Sequence, residues 1–236
     1  MLTIFTIPKP FIGHNNIIQR NAIKSWLQIK PLCEIMLFGD DAGVAEMANE
    51  LSVEHVPSLD KNEFGTPLLS SAFAIAQKLA KNDILMYANS DVIFFHDLIE
   101  AVQKLDKPSF LACGRRWDLD VIEEIDFEDS EWTIKLLDRI KDEGKLHGYS
   151  GIDYFIFPKN TVNMLNFTVG RPGWDSWLVY DVRLREIPVI NTTEAITVIH
   201  QSHDYSHSIF SEKNMVGGPE LKRNTVVAGG GKNMMT

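Results

Sequence analysis

Two apolar runs that meet at a polar tripeptide constrain this chain more than any other stretch. Ile84 to Ala88 is continuously apolar, Asn89-Ser90-Asp91 follows, and Val92 to Phe95 is apolar again. Runs of this length suit strands covered on both faces, as in a parallel sheet. A carboxylate buried unpaired between them would be costly. The tripeptide is therefore expected to turn at the carboxyl end of a central strand, where open α/β sheets bind ligands. Asp91 then stands at the rim of a cleft. A hard divalent cation, shared with diphosphate oxygens, is a natural partner for it. An ordinary strand-ending turn uses the same residue types.

The preceding residues alternate between strand-like and helix-like patterns. Thr3 to Ile7 is a β-rich run closed by Pro8-Lys9-Pro10. Ile18, Ala22, Trp26 and Ile29 recur at helical intervals until Pro31. Ile35 to Phe38 predicts a second strand ending in Gly39-Asp40-Asp41, Ala42 to Leu51 a helix, and Val53 to Val56 a short third strand. Thr66 is expected to cap a third helix with Pro67 at its first position. This βαβαβ order implies right-handed crossovers and a parallel sheet. Neither GxGxxG nor GxxxxGK[ST] is present, so a nucleotide must be held by other means. Thr6, Ile7, Pro8, Asp40, Thr66 and Pro67 fall at strand ends or loops on one side of the sheet. They are the expected nucleoside contacts, with Asp40 accepting a hydrogen bond from a base imide or serving only as a turn residue.

Residues beyond 105 are less regular. Phe110 to Cys113 predicts a strand, followed by Gly114-Arg115-Arg116-Trp117-Asp118. The acidic stretch from Glu123 to Glu131, with Trp132 to Lys141, predicts a solvated helical insertion without chemistry. Another strand, Tyr154 to Phe157, is entered through Gly151-Ile152-Asp153. Gly170-Arg171-Pro172-Gly173-Trp174-Asp175-Ser176-Trp177 leads into a helix through Leu184. Asp175 falls near that helix start, where the dipole favours a carboxylate. Its flanking tryptophans suggest aromatic faces for a sugar ring. Ile196 to Ile199 is the last predicted strand, ending in a stretch that holds His200, His203 and His207. An imidazole there could join Asp91 at a cation, and zinc is a second possibility. The glycine-rich tail is expected to be mobile, either as a loop ordering over substrate or as a frayed end.

Composition narrows the partners. Net charge is −9 with no basic block, which argues against a nucleic-acid backbone. Cys33 and Cys113 each lie beside an apolar run and read as buried thiols in a reducing compartment. No apolar run approaches bilayer length, and the amino terminus lacks a signal-peptide layout. A cytoplasmic location is the expectation. The glycosylation patterns at Asn166 and Asn191 are then chance.

The order of a βαβ half-domain, Asn89-Ser90-Asp91, a late acidic helix start and a histidine after the last strand resembles the GT-A fold of nucleotide-sugar glycosyltransferases. The strings Gly170 to Trp177, His200-Gln201-Ser202-His203-Asp204-Tyr205-Ser206-His207 and Gly218-Pro219-Glu220 are similar to a group of bacterial, viral and plant GT-A-like proteins. The resemblance covers nearly the whole chain. It implies one α/β domain over 1–236, with a nucleotide-binding half (1–105) and an acceptor-side half (106–236), around a mostly parallel sheet flanked by helices. It implies Mn²⁺ or Mg²⁺ bound by Asp91 and His200, with His203 beside them, and Asn89 and Ser90 lining the donor. It implies Asp175 as the base of an inverting reaction, with Asp153 as its rival or as a ligand of the donor sugar. The donor would be a nucleotide-diphosphate sugar, UDP-linked by preference, and the acceptor a glycan or other hydroxyl. Asn89 departs from the pattern, since an amide replaces the first acidic residue and weakens the charge at the metal. Two other classes compete: a sugar nucleotidyltransferase, which would usually carry a glycine- and arginine-rich loop after the first strand, and a non-catalytic carbohydrate-binding module using Trp174 and Trp177.

Overall fold

Alternation along β1 (Leu2–Thr6) divides the core into two layers. Leu2 and Ile4 face one side of the sheet and Phe5 the other. The same division recurs in β4 (Ile84–Ala88), where Met86 and Ala88 oppose Leu85 and Tyr87, and in β9 (Tyr154–Pro158), where Tyr154 and Ile156 oppose Phe155 and Phe157. Burying each such large side chain fully contributes about 1.5–3 kcal/mol. These strands are buried on both faces, which is why the sequence reads as continuous apolar runs rather than as alternation. The computed structural model describes residues 1–202 and 218–234.

The main sheet has seven strands. β1 lies between β2 (Glu34–Phe38) and β4, parallel to both, and β3 (Glu54–Val56) continues parallel to β2. Beyond β4, β9 pairs antiparallel, then β6 (Leu111–Cys113) antiparallel to β9, and β10 (Val189–Asn191) parallel to β6. Helices α1 (His14–Leu27), α2 (Val44–Leu51) and α4 (Asp97–Val102) cover one face. The other is covered by α3 (Leu69–Leu79) and α6 (Trp174–Leu184). The architecture is the mixed α/β one expected, with a mostly parallel central sheet. The chain runs from β1 outward to β3 and returns to β4 on the other side of β1, so the switch point lies between β1 and β4.

Several local expectations are corrected. Beyond the expected turn, the second apolar run forms β5 (Val92–Phe94) of a separate four-stranded sheet, ordered β5, β11 (Val198–Gln201), β7 (Trp117–Leu119), β8 (Lys145–Leu146). Thr66 and Pro67 do not start a helix. Pro67 bridges Lys61, its carbonyl accepts from Val169, and Leu68 pairs with Thr168 in extended conformation, so α3 starts only at Leu69. The helix predicted from Trp132 is α5 (Trp132–Glu143). It is not wholly solvated, because Leu136 and Ile140 pack under the second sheet with Ile93 and Ile199. Within the tail, 218–234 is built: α7 (Pro219–Val227) and a 3₁₀ helix (Gly231–Met234) pack on α6 and its lead-in. Among the described residues no helix is long and apolar enough to cross a membrane.

Candidate active site

Asn89-Ser90-Asp91 joins the two sheets, so its geometry is fixed from both. Gln201 at the end of β11 donates its backbone N–H and its side-chain amide to the Asp91 carbonyl, both at 3.1 Å. The Trp26 indole N–H donates to the Val92 carbonyl at 3.0 Å. Asp91 is buried, with its carboxylate Oδ2 3.9 Å from His200 Nε2. His200 lies inside β11 rather than after it, opposite Val92 on one side and Asp118 on the other. That register, which no local pattern reveals, brings the two predicted metal ligands together.

It also brings in residues that sequence reasoning missed. Asp118 lies 3.4 Å from His200 Nδ1 through Oδ1, and its Oδ2 holds His147 Nδ1 at 2.7 Å. Arg116 donates to Asp118 at 3.1 Å and also to Asp153. Burial pushes the Asp118 carboxyl up, but the His147 hydrogen bond and the Arg116 charge outweigh it and hold it below the usual carboxylate range. His147 fits because position 151 is glycine: a Cβ there would lie 2.2 Å from the imidazole. The string Gly114 to Asp118 was visible in the sequence, but only the pairing of β7 with β11 gives it a place in the site.

Asp153 and Asp175 differ in surroundings. Asp153 accepts the Asn89 side-chain amide at 2.8 Å on one oxygen and Arg116 on the other. The amide at position 89 therefore has a partner of its own and does not point its N–H at a cation. Asp175 is half-buried in the first turn of α6. Burial raises its carboxyl above the ordinary value, backbone N–H groups at the helix start pull it down, and the nearby Asp153 charge raises it; the net direction is up. Desolvation thus outweighs the helix start that favours the carboxylate. Trp174 and Trp177 are not sugar-stacking faces. They are 7% and 6% exposed, Trp174 against Tyr87 and Phe155 and Trp177 against Phe167, which removes the support for a carbohydrate-binding module.

The remaining predicted contacts divide. Thr6, Ile7 and Pro8 are buried at the carboxyl end of β1, and Thr6 Oγ1 has no hydrogen-bond partner there. Ser90 is buried and donates to Gln19 Oε1 at 2.7 Å, part of a network that holds the Lys9 backbone. Asp40 is exposed and paired with Lys61 at 2.8 Å, which holds its carboxyl low. Thr66 and Pro67 lie on the loop beside Lys61. His203 and the rest of 203–217 lie outside the described residues.

No protein-family model matches the chain, and no curated protein matches it. Solved structures do. A mannosyltransferase from Pyrobaculum calidifontis, in complex with GDP-Man and Mn²⁺, superposes with a TM-score of 0.52 at 12% identity, over 87% of this chain and 58% of that one. The chain thus spans less than two thirds of that protein. Glucosyl-3-phosphoglycerate synthase from Mycobacterium tuberculosis, with Mn²⁺, UDP and phosphoglyceric acid, gives 0.51 at 14% identity over 92% and 76%. The same enzyme with Mg²⁺ and UDP gives 0.51 at 12% identity over 92% and 76%. The fold is GT-A-like. In this GT-A-like frame, Asp91, His200, Asp118, Asp153 and Asn89 gather where β4, β7, β9 and β11 meet. Asp91 and His200 supply one carboxylate and one imidazole. Among the described residues no group of three or more such side chains makes a metal cage. One carboxylate and one imidazole leave a divalent ion to take its remaining positions from phosphate oxygens and water.

Proposed function

We propose that the chain is a glycosyltransferase that moves a sugar from a nucleotide-diphosphate sugar, UDP-linked by preference, to an acceptor hydroxyl with inversion. The observation that carries this reading is the convergence of Asp91 and His200 beside Asp153 on a GT-A-like fold. The nucleotide, diphosphate and divalent ions in the structurally similar enzymes support it. Mn²⁺ or Mg²⁺ held by Asp91 and His200 would supply Lewis-acid stabilisation to the diphosphate leaving group. Asp118 Oδ1, 3.4 Å from His200 Nδ1, sets a carboxylate behind the imidazole whose Nε2 faces Asp91, as carboxylates commonly stand behind metal-binding histidines. Asp153, fixed by Asn89 and Arg116, keeps negative charge near the place where positive charge develops on the sugar. Asp175 takes the acceptor's proton, since among the described residues no cation claims its oxygens and its raised carboxyl is a better proton acceptor than an ion-paired one. Thr6, Ile7, Pro8 and Asp40 flank the nucleoside side, with Thr66 and Pro67.

The test has two arms. Hydrolysis of UDP-, GDP- and dTDP-sugars is screened with and without Mn²⁺, and calorimetry follows UDP binding to the native chain and to Asp91→Ala. Mn²⁺-dependent release from a UDP-sugar, and heat lost on adding EDTA or on substitution, is the expected result. UDP affinity indifferent to both treatments overturns the metal assignment. Absence of turnover with every donor overturns the enzyme reading.

A further inference from the structure

The turn that delivers Asp175 is fastened from the far end of the chain. Gly170 and Gly173 both adopt left-handed backbone, with φ of 69° and 99°. Between them Arg171 is buried, and its Nε and Nη2 both donate to Glu220 Oε2, at 3.0 and 2.5 Å. Glu220 belongs to the first turn of α7 and is itself 6% exposed. Its other oxygen accepts from Asn62 Nδ2 at 2.8 Å. Asn62 Oδ1 in turn accepts the backbone N–H groups of Phe64 and Thr66, each at 2.9 Å. One carboxylate therefore ties the Asn62–Pro67 loop to the turn that opens α6.

Two further contacts bear on the same strip. Asn224, one helical turn on, accepts from the Thr168 N–H at 2.8 Å and donates to the Thr168 carbonyl at 3.2 Å. A Cβ on Gly173 would lie 1.8 Å from Met234 Cε, so the 3₁₀ helix sits on the residue two before Asp175. Burial pushes the Glu220 carboxyl up, but hydrogen bonds from Thr66, Asn62 and Arg171 outweigh it and keep it ionised. A buried Arg–Glu pair is a poor device for stability alone, because desolvating both ions offsets their attraction. What two charge-assisted hydrogen bonds onto one carboxylate oxygen do supply is fixed geometry.

We propose that Glu220 is a positioning residue that acts through Arg171, holding the Gly170–Gly173 turn against the Asn62 loop so that Asp175 keeps its place at the site. This rests on the reading of Asp175 as the base. The test compares Glu220→Gln, which keeps length and loses charge, with Glu220→Asp, which keeps charge and shortens the reach, and with Arg171→Lys, which keeps charge and loses the fork. Turnover of the active UDP-sugar should fall by about 10²-fold, the scale of a misplacement of about 1 Å, and in Arg171→Lys, which leaves the Glu220 hydrogen bond to Asn62 in place, UDP affinity should be unchanged. Independently of activity, the Asp175 carboxyl is titrated by ¹³C NMR, its resonance assigned with Asp175→Asn. In the native chain it should titrate above its ordinary value, and in the Glu220 and Arg171 variants it should move back as the turn opens to water. A lowered melting temperature with unchanged turnover and an unchanged Asp175 titration overturns the proposal and leaves the pair a structural fastening. If Glu220→Gln does not fold, Glu220→Asp and Arg171→Lys decide by the same readings. If no donor turns over, the glycosyltransferase reading falls, and the carboxyl titration still decides the clasp.

Discussion

At the scale of single residues, the two candidate bases differ in the partners their oxygens have. Asp153 has Asn89 on one oxygen and Arg116 on the other. Asp175 has, among the described residues, backbone donors at a helix start, and burial dominates. Asp175→Asn should lower kcat by roughly 10²–10⁴-fold, the usual contribution of a general base, with donor affinity nearly unchanged. The same substitution should raise stability. A carboxyl whose folded value lies above its unfolded value disfavours folding once ionised. That penalty is absent below the unfolded value and complete above the folded one. Asp175→Asn should therefore raise the melting temperature at neutral pH, by roughly 2–4 °C for each kcal/mol relieved in a chain of this size, and the gain should vanish on acidification below the ordinary carboxylate range. A melting temperature that is unchanged or lower at neutral pH, measured by calorimetry, contradicts the burial argument.

At the scale of elements, α6 carries both chemistry and core. Its first turn presents Asp175, while Trp174, Trp177, Leu178 and Val182 face the sheet. Trp174 packs edge-on to Tyr87 with ring centroids 5.2 Å apart, directly beneath the strand that leads into Asn89. Trp174→Ala should cost about 3–5 kcal/mol, as other buried tryptophan truncations do. Urea unfolding measures this, and a loss under about 1 kcal/mol, together with weakened sugar binding, would restore the tryptophan to a ligand role. The second sheet shows how far pairing matters. β7 is three residues long, yet its parallel register with β11 sets Asp118 opposite His200.

At the scale of the whole molecule, return of the chain to β4 beside β1 leaves the carboxyl ends of β1, β2 and β4 on one side, where Thr6 to Pro8, Asp40 and Asp91 lie. Both thiols are sealed in the layers on either side of that sheet: Cys33 in one and Cys113 in the other. Burial pushes Cys33 up to about 11 and Cys113 up to about 12. Neither thiol should react with an aromatic disulfide reagent in the native chain near pH 8, and both should react across the urea unfolding transition. Prompt native labelling of either would contradict the packing of its layer.

Sequence alone determined what depends on neighbours along the chain. The β-rich run of β1 and the apolar runs within β2, β4 and β9 indicated the buried sheet, the helical spacing of Ile18 to Ile29 indicated α1, and a polar tripeptide between two apolar runs indicated the Asp91 turn. The acidic helix start at Asp175 was legible for the same reason. What the tertiary structure decided is which distant residues share a volume. Periodicity states that Trp174 and Trp177 lie on a helix, but only the sheet beneath α6 makes them core. A residue's sequence position carries no register between strands 80 residues apart, so Asp118 reached His200 only through β7 and β11. Glu220 reached Arg171 only because α7 folds back on the turn before α6. Burial, which set the direction for Asp175, is likewise a property of what surrounds a residue in space.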